Sequence, residues 1–163
     1  MGRAGVAALV GAVGGALLLS GCGASLLPLV AVRLDASGAP QALLRPCGDD
    51  LIQGLRLTGA PTEGDSDENL SGWETSGKRA GEDIGFPLFE PPAAWHARVA
   101  GQQRLVPAYT YRLAFGKAEF NYEYTGTGTF RAADLAALRP GQVWADGRAM
   151  SLGEFEELAE DSC

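Results

Sequence analysis

Apolar and polar positions alternate along most of this chain, at the period of two that a half-buried β-strand requires. Val30, Val32 and Leu34 share one face of the segment 29–35, with Arg33 and Asp35 on the other. The turn Ala36-Ser37-Gly38-Ala39 leads into a second strand over 41–45, which Pro46-Cys47-Gly48 ends. A third strand is expected over 51–58, with Leu51, Leu55 and Leu57 on one face. A polar loop over 59–71 and a short strand around Trp73 follow. After another polar loop over 78–83, a fifth strand over 84–89 is demoted to an edge position by Pro87. Pro91-Pro92 breaks the chain, and Trp95, Ala97 and Val99 are expected on one face of a sixth strand.

The clearest pattern comes next. Tyr109, Tyr111, Leu113 and Phe115 alternate with Thr110, Arg112 and Ala114. Gly116-Lys117 fits a two-residue hairpin turn, and 118–124 alternates again. That turn sets Phe115 against Ala118, Leu113 against Phe120, Tyr111 against Tyr122 and Tyr109 against Tyr124. One face is then aromatic, and the other carries Arg112, Glu119, Asn121 and Glu123. The run Thr125 to Thr129 reads as a loop, 132–138 as a short helix, and 142–145 as a last strand. Ser151 and Glu154 form a capping box for a terminal helix carrying Phe155, Leu158 and Ala159 on its apolar side. About seven to nine short strands spaced by turns predict an all-β fold. The expected architecture is an antiparallel, immunoglobulin-like β-sandwich over 29–163, with short helices near the C-terminus.

The first part of the chain does not fit that scheme. A single charge, Arg3, precedes an apolar run of Ala, Val, Leu and Gly that ends at Leu19-Ser20-Gly21-Cys22. This is the layout of a secretory signal peptide. The run over 4–19 is shorter than the roughly 20 residues that a membrane-spanning helix needs. Leu19-Ser20-Gly21-Cys22 resembles the lipobox of bacterial lipoproteins. The resemblance implies a signal peptide over 1–21, diacylglycerol on the Cys22 thiol, and a lipidated tether over 22–28. The partner is then the lipid bilayer, and the address is the extracytoplasmic face of the cell membrane. Two or three acyl chains would hold such a protein stably, where one would not.

Three cysteines are present, Cys22, Cys47 and Cys163. With Cys22 assigned to lipid, Cys47 and Cys163 are expected to pair in an oxidising compartment. Chain-entropy reasoning puts the benefit of closing so long a loop at about 5 kcal/mol at most. The segment Leu43-Leu44-Arg45-Pro46-Cys47, Trp95, the Tyr-rich stretch and Cys163 together resemble small uncharacterised lipoproteins of actinobacteria, which implies no activity.

Composition narrows the function classes. Of 163 residues 46% are hydrophobic, too many for a disordered chain. Thirteen basic against twenty acidic residues give a net charge of -7, which excludes nucleic acid as the expected partner. Removal of Arg3 with the leader makes the remainder more acidic still, so an anionic membrane surface should repel it.

Few residues suggest chemistry. Glu119 and Glu123 lie roughly 13 Å apart along one expected strand, wider than a glycosidase carboxylate pair. With Arg112 and Asn121 they make a candidate ligand-binding face. Asp65, Asp67 and Asn69 have the spacing that opens a calcium loop, but Leu70 stands where Gly is needed and Ser76 where the closing Glu belongs. His96 is the only histidine, so any histidine-based mechanism must use it. The aromatic hairpin face with Trp73, Trp95 and Trp144 reads as sandwich core, with a sugar-stacking platform as the alternative. No cofactor motif is present. The expected function is a membrane-anchored, non-enzymatic binding module of the cell envelope, with an envelope protein or glycan as partner. An envelope hydrolase and a docking subunit of a membrane complex are the alternatives.

Overall fold

The structure, a computed structural model, describes residues 24–64, 68–79, 84–117 and 123–163. They form an all-β sandwich of a seven-stranded and a five-stranded sheet with two short helices. The strands are β1 (Ser25–Leu27), β2 (Val30–Leu34), β3 (Pro40–Leu44), β4 (Ile52–Pro61), β5 (Ser71–Glu74), β6 (Lys78–Arg79), β7 (Ile84–Pro87), β8 (Arg98–Gly101), β9 (Tyr109–Lys117), β10 (Tyr124–Arg131), β11 (Gln142–Ala145) and β12 (Arg148–Ser151). The helices are α1 (Ala132–Ala136) and α2 (Leu152–Ser162). The larger sheet runs β1-β10-β9-β4-β5-β8, with β6 also on β4, and the smaller β12-β11-β2-β3-β7. All pairings are antiparallel except β1 on β10.

Several elements follow the alternation. β2 and β3 pair as expected, and Asp35 caps their turn by accepting from the Ser37 and Ala39 amides at 2.8 and 3.0 Å. Pro87 sits in β7, the edge strand of its sheet. The capping box of α2 is formed: Ser151 N donates to Glu154 Oε2 at 2.7 Å, and Glu154 N donates to Ser151 Oγ at 3.2 Å. Phe155 and Ala159 are buried beneath it.

Other elements depart from expectation. The Tyr-rich strand does not turn at Gly116-Lys117. β9 runs through both residues, and its partner is the Thr/Gly run read as a loop: Phe115 stands opposite Gly126, Leu113 opposite Gly128 and Tyr111 opposite Phe130. The physical reason is space. A Cβ on Gly126 would lie 2.5 Å from the Phe115 ring, and one on Gly128 would lie 3.0 Å from Val30 of the facing sheet. Glycine in a strand here marks close approach. The expected strand at 118–124 lies mostly outside the described residues.

In β4 the register shifts between Gln53 and Arg56, with Gly54 at φ 61°. This bulge re-aims the strand so that Ile52, rather than Leu51, joins Leu55 and Leu57 in the core, and Leu51 is exposed. The expected sixth strand is also corrected. Pro91-Pro92 leads into a 3₁₀ turn at Ala93–Trp95, His96 is left-handed at φ 48°, and β8 begins only at Arg98. Trp95 packs edge-on against Phe86 at 5.1 Å, while Val99 is exposed. β12 extends the chain beyond the expected last strand through an Asp146-Gly147 turn with φ 48° and 71°. Ser25–Leu27, within the expected tether, is a strand of the larger sheet.

One core contains both inner faces, with Trp73, Tyr111, Phe115, Phe130 and Phe155 among its largest members. Trp73 Nε1 is satisfied by Leu88 O at 2.8 Å. The Tyr111 hydroxyl, also buried, holds the segment before β9. It accepts from Val106 N at 2.8 Å and lies 2.9 Å from Arg104 O and 3.0 Å from Ser71 Oγ. Ser71 Oγ is 2.6 Å from Gln102 O, so its single proton goes there, and the Tyr111 proton is left for Arg104 O or Ser71.

Two outcomes follow. Tyr111→Phe should destabilise the fold by about 1–3 kcal/mol, because the half-buried Val106 amide loses its acceptor and the hydroxyl network with Ser71 and Arg104 is broken. Denaturant unfolding measures the loss, and hydrogen exchange should speed at the Val106 amide. Gly126→Val should cost about 1–3 kcal/mol through overpacking against Phe115, read as a lower unfolding midpoint.

Candidate surface site on the larger sheet

Burying Tyr111, Leu113 and Phe115 puts Thr110, Arg112 and Ala114 on the opposite face, where Ala114 is covered and Thr110 and Arg112 are half-buried. The same alternation exposes Arg56, Thr58 and Ala60 on β4, and Thr127, Thr129 and Arg131 on β10. Register places these side chains in rows. Arg98, Glu74, Arg56 and Ala114 form the first row, Thr58, Arg112 and Thr129 the second, and Ala60, Thr110 and Arg131 the third. Arg56, Arg112 and Arg131 therefore lie on a diagonal across three adjacent strands, with steps of roughly 8 Å.

A trough of about 550 Å³ opens on this face, lined by Arg56, Thr58, Ala60, Thr110, Arg112 and others. Arg112 Nε donates to Thr127 Oγ1 at 3.0 Å. Glu74 is an acid on this face and is bonded to Arg98 at 3.3 Å, an exposed pair worth little to stability. Arg131 reaches Asp134 of α1 at 3.4 Å. Among the described residues no carboxylate pairs with Arg56 or Arg112. The trough thus sets two arginines without an ion pair beside a single carboxylate, Glu74, on a protein of net charge -7.

The sequence-predicted residues scatter. Arg112 is on this face, facing Thr58 and Thr129 rather than position 121. Glu119 and Asn121 lie outside the described residues, and Glu123 is an exposed residue at the head of β10, beyond the Thr125–Gly116 pair. Arg112 and Glu123 are therefore separated along the strands rather than diagonal neighbours. Asp65 and Asp67 are likewise outside. Asn69 ties β4 to β5: its Oδ1 accepts from Gly59 N and Ser71 N at 3.1 and 3.3 Å, and its Nδ2 donates to Leu57 O at 3.0 Å. Among the described residues no three His, Cys, Asp or Glu side chains converge on a metal position. His96 is exposed after the 3₁₀ turn. Trp73 is fully buried, and Trp95 and Trp144 pack against the core. Arg56 was not singled out from the sequence. Its position two residues before Thr58, on the face away from Leu55 and Leu57, carried the signal.

Cys22 is outside the described residues. Cys47 and Cys163 are bonded, with Cα atoms 5.4 Å apart and a sequence separation of 116. Beside the bridge, Arg45 clamps Glu156 of α2 with Nε and Nη2 at 2.7 and 2.6 Å, and its guanidinium lies 5.8 Å over the Phe155 ring. The hydrogen bonds from Arg45 hold the Glu156 carboxyl below its ordinary value of 4.5, against an opposing effect of burial. Models of protein families gave no match to the chain, and neither did curated proteins or solved structures.

A depressed carboxyl value in the folded state means stability that is present above the unfolded value and lost as pH falls through the folded one. Since 41% of the Glu156 side chain is exposed, water screens the pair, and Glu156→Gln should cost about 1 kcal/mol at neutral pH. Denaturation from pH 7 downward should show that difference shrinking below pH 4.5.

Proposed function

We propose that this protein is an extracytoplasmic lipoprotein, held in the bilayer through acylated Cys22, whose sandwich is a non-enzymatic binding module. The trough around Arg56 and Arg112 is its binding face. The Cys47–Cys163 bridge carries this reading, because such bonds persist in oxidising compartments. The lipobox-like Leu19-Ser20-Gly21-Cys22 supplies the anchor. Only Gly23 and Ala24 then separate the lipidated residue from β1, a reach of roughly 10 Å from Cys22 to Ser25. A linker that short keeps one end of the domain beside the headgroups despite the repulsion expected of its acidity, so the sandwich stands on that end.

The alternatives have less to rest on. Hydrolysis through His96 lacks a partner acid bonded to it among the described residues. Docking on a membrane protein calls for a contiguous apolar patch, whereas the exposed Leu26, Leu51 and Val99 lie on β1, just before β4 and on β8, three separate strands of the larger sheet.

The anchor is tested by Cys22→Ala. Wild-type protein should incorporate labelled fatty acid, carry the mass of a chain beginning at Cys22 plus acyl groups, and sediment with membranes. The variant should lose all three properties. Unchanged labelling, mass and sedimentation would refute the anchor.

A further inference from the structure

We infer that the diagonal of Arg56, Arg112 and Arg131 is a binding track for a linear anionic polysaccharide, one bearing carboxylate or phosphate groups. This rests on the binding-module reading and names its ligand. Charge comes first. On an acidic chain, Arg56 and Arg112 face the trough with no ion pair among the described residues, and the one carboxylate in its lining, Glu74 opposite Arg56, is bonded to Arg98. Cations repeated at steps of roughly 8 Å over three strands suit a polymer with recurring charges better than a single small anion.

The rest of the surface chooses the polymer. Thr58, Thr110, Thr127 and Thr129 line the track with hydroxyls; the first three already bond to Arg112 O, Thr62 and Arg112 Nε, and each keeps a lone pair that can accept from a sugar hydroxyl. Between them Ala60 in the trough and the covered Ala114 beside it leave the floor low. A protein partner needs a desolvated apolar centre with aromatic anchors, and these alanines do not supply one. Single-stranded nucleic acid needs stacking aromatics, whereas Tyr111, Phe115 and Phe130 all point into the core. The track also lies on the side of the sandwich, whereas an anchor at Cys22 would set the bilayer at its end, so a headgroup surface would not lie along it.

The test uses the full chain in non-ionic detergent, run through gels containing polygalacturonate, phosphomannan, neutral dextran or polyglutamate. Polygalacturonate, phosphomannan or both should retard it, dextran should not, and added salt should weaken the effect. Arg56→Gln and Arg112→Gln should each weaken binding about tenfold. Arg33→Gln, exposed on the other sheet, should leave it unchanged. Which of the two anionic glycans retards the chain identifies carboxylate or phosphate as the charge. Equal retardation by polyglutamate, full retardation of Arg56→Gln, or retardation by neither glycan would overturn the assignment. Intact mass on the same sample separates the two readings. A lipidated, bridged chain that ignores both glycans overturns the ligand alone, whereas a chain lacking acyl mass overturns the anchor whatever it binds.

Discussion

Two aromatic rings of β9 fix the larger sheet. Tyr111 lies over Gly59 of β4 and Phe115 over Gly126 of β10, so close that a Cβ at either glycine would fall 2.4 or 2.5 Å from a ring carbon. A slip of either neighbour by one residue would bring a side chain under a ring that has nowhere to move. The register is thus locked from both sides of the central strand. Because side chains alternate across a strand, the same lock decides what faces solvent. With Tyr111 and Phe115 inward, Arg112 and its neighbours must stand outward, and the diagonal of arginines is a consequence of core packing.

Much of the fold is legible where the physics is local. The β2–β3 hairpin, the edge position of β7 and the capping box of α2 each depend on residues within a few positions of one another. What escapes the sequence depends on distant neighbours. Gly126 and Gly128 look like loop residues until Phe115 and Val30 are known to press on them. The bulge at Gly54 exchanges Leu51 for Ile52 in the core, and no local pattern distinguishes the two. The Asp146-Gly147 turn was a readable hairpin signal for β12.

The candidate site divides in the same way. Arg112 is visible as a polar residue between the apolar Tyr111 and Leu113, and the pairing of Cys47 with Cys163 is the one left among three cysteines once Cys22 is expected to carry lipid. Arg56 becomes part of a site only when β4 is set beside β9 in the observed register. A single strand shows which side chains share its face. It does not show which arginine of another strand will be diagonal to them.

The bond from β3's end to the end of α2 has a topological consequence. Residues 47 to 163 form a closed covalent ring, and the ring carries most of the sandwich. One proteolytic nick within it opens the ring and frees no fragment, since both new ends stay joined through sulfur. Shedding part of the domain then requires a second cut or a reductant.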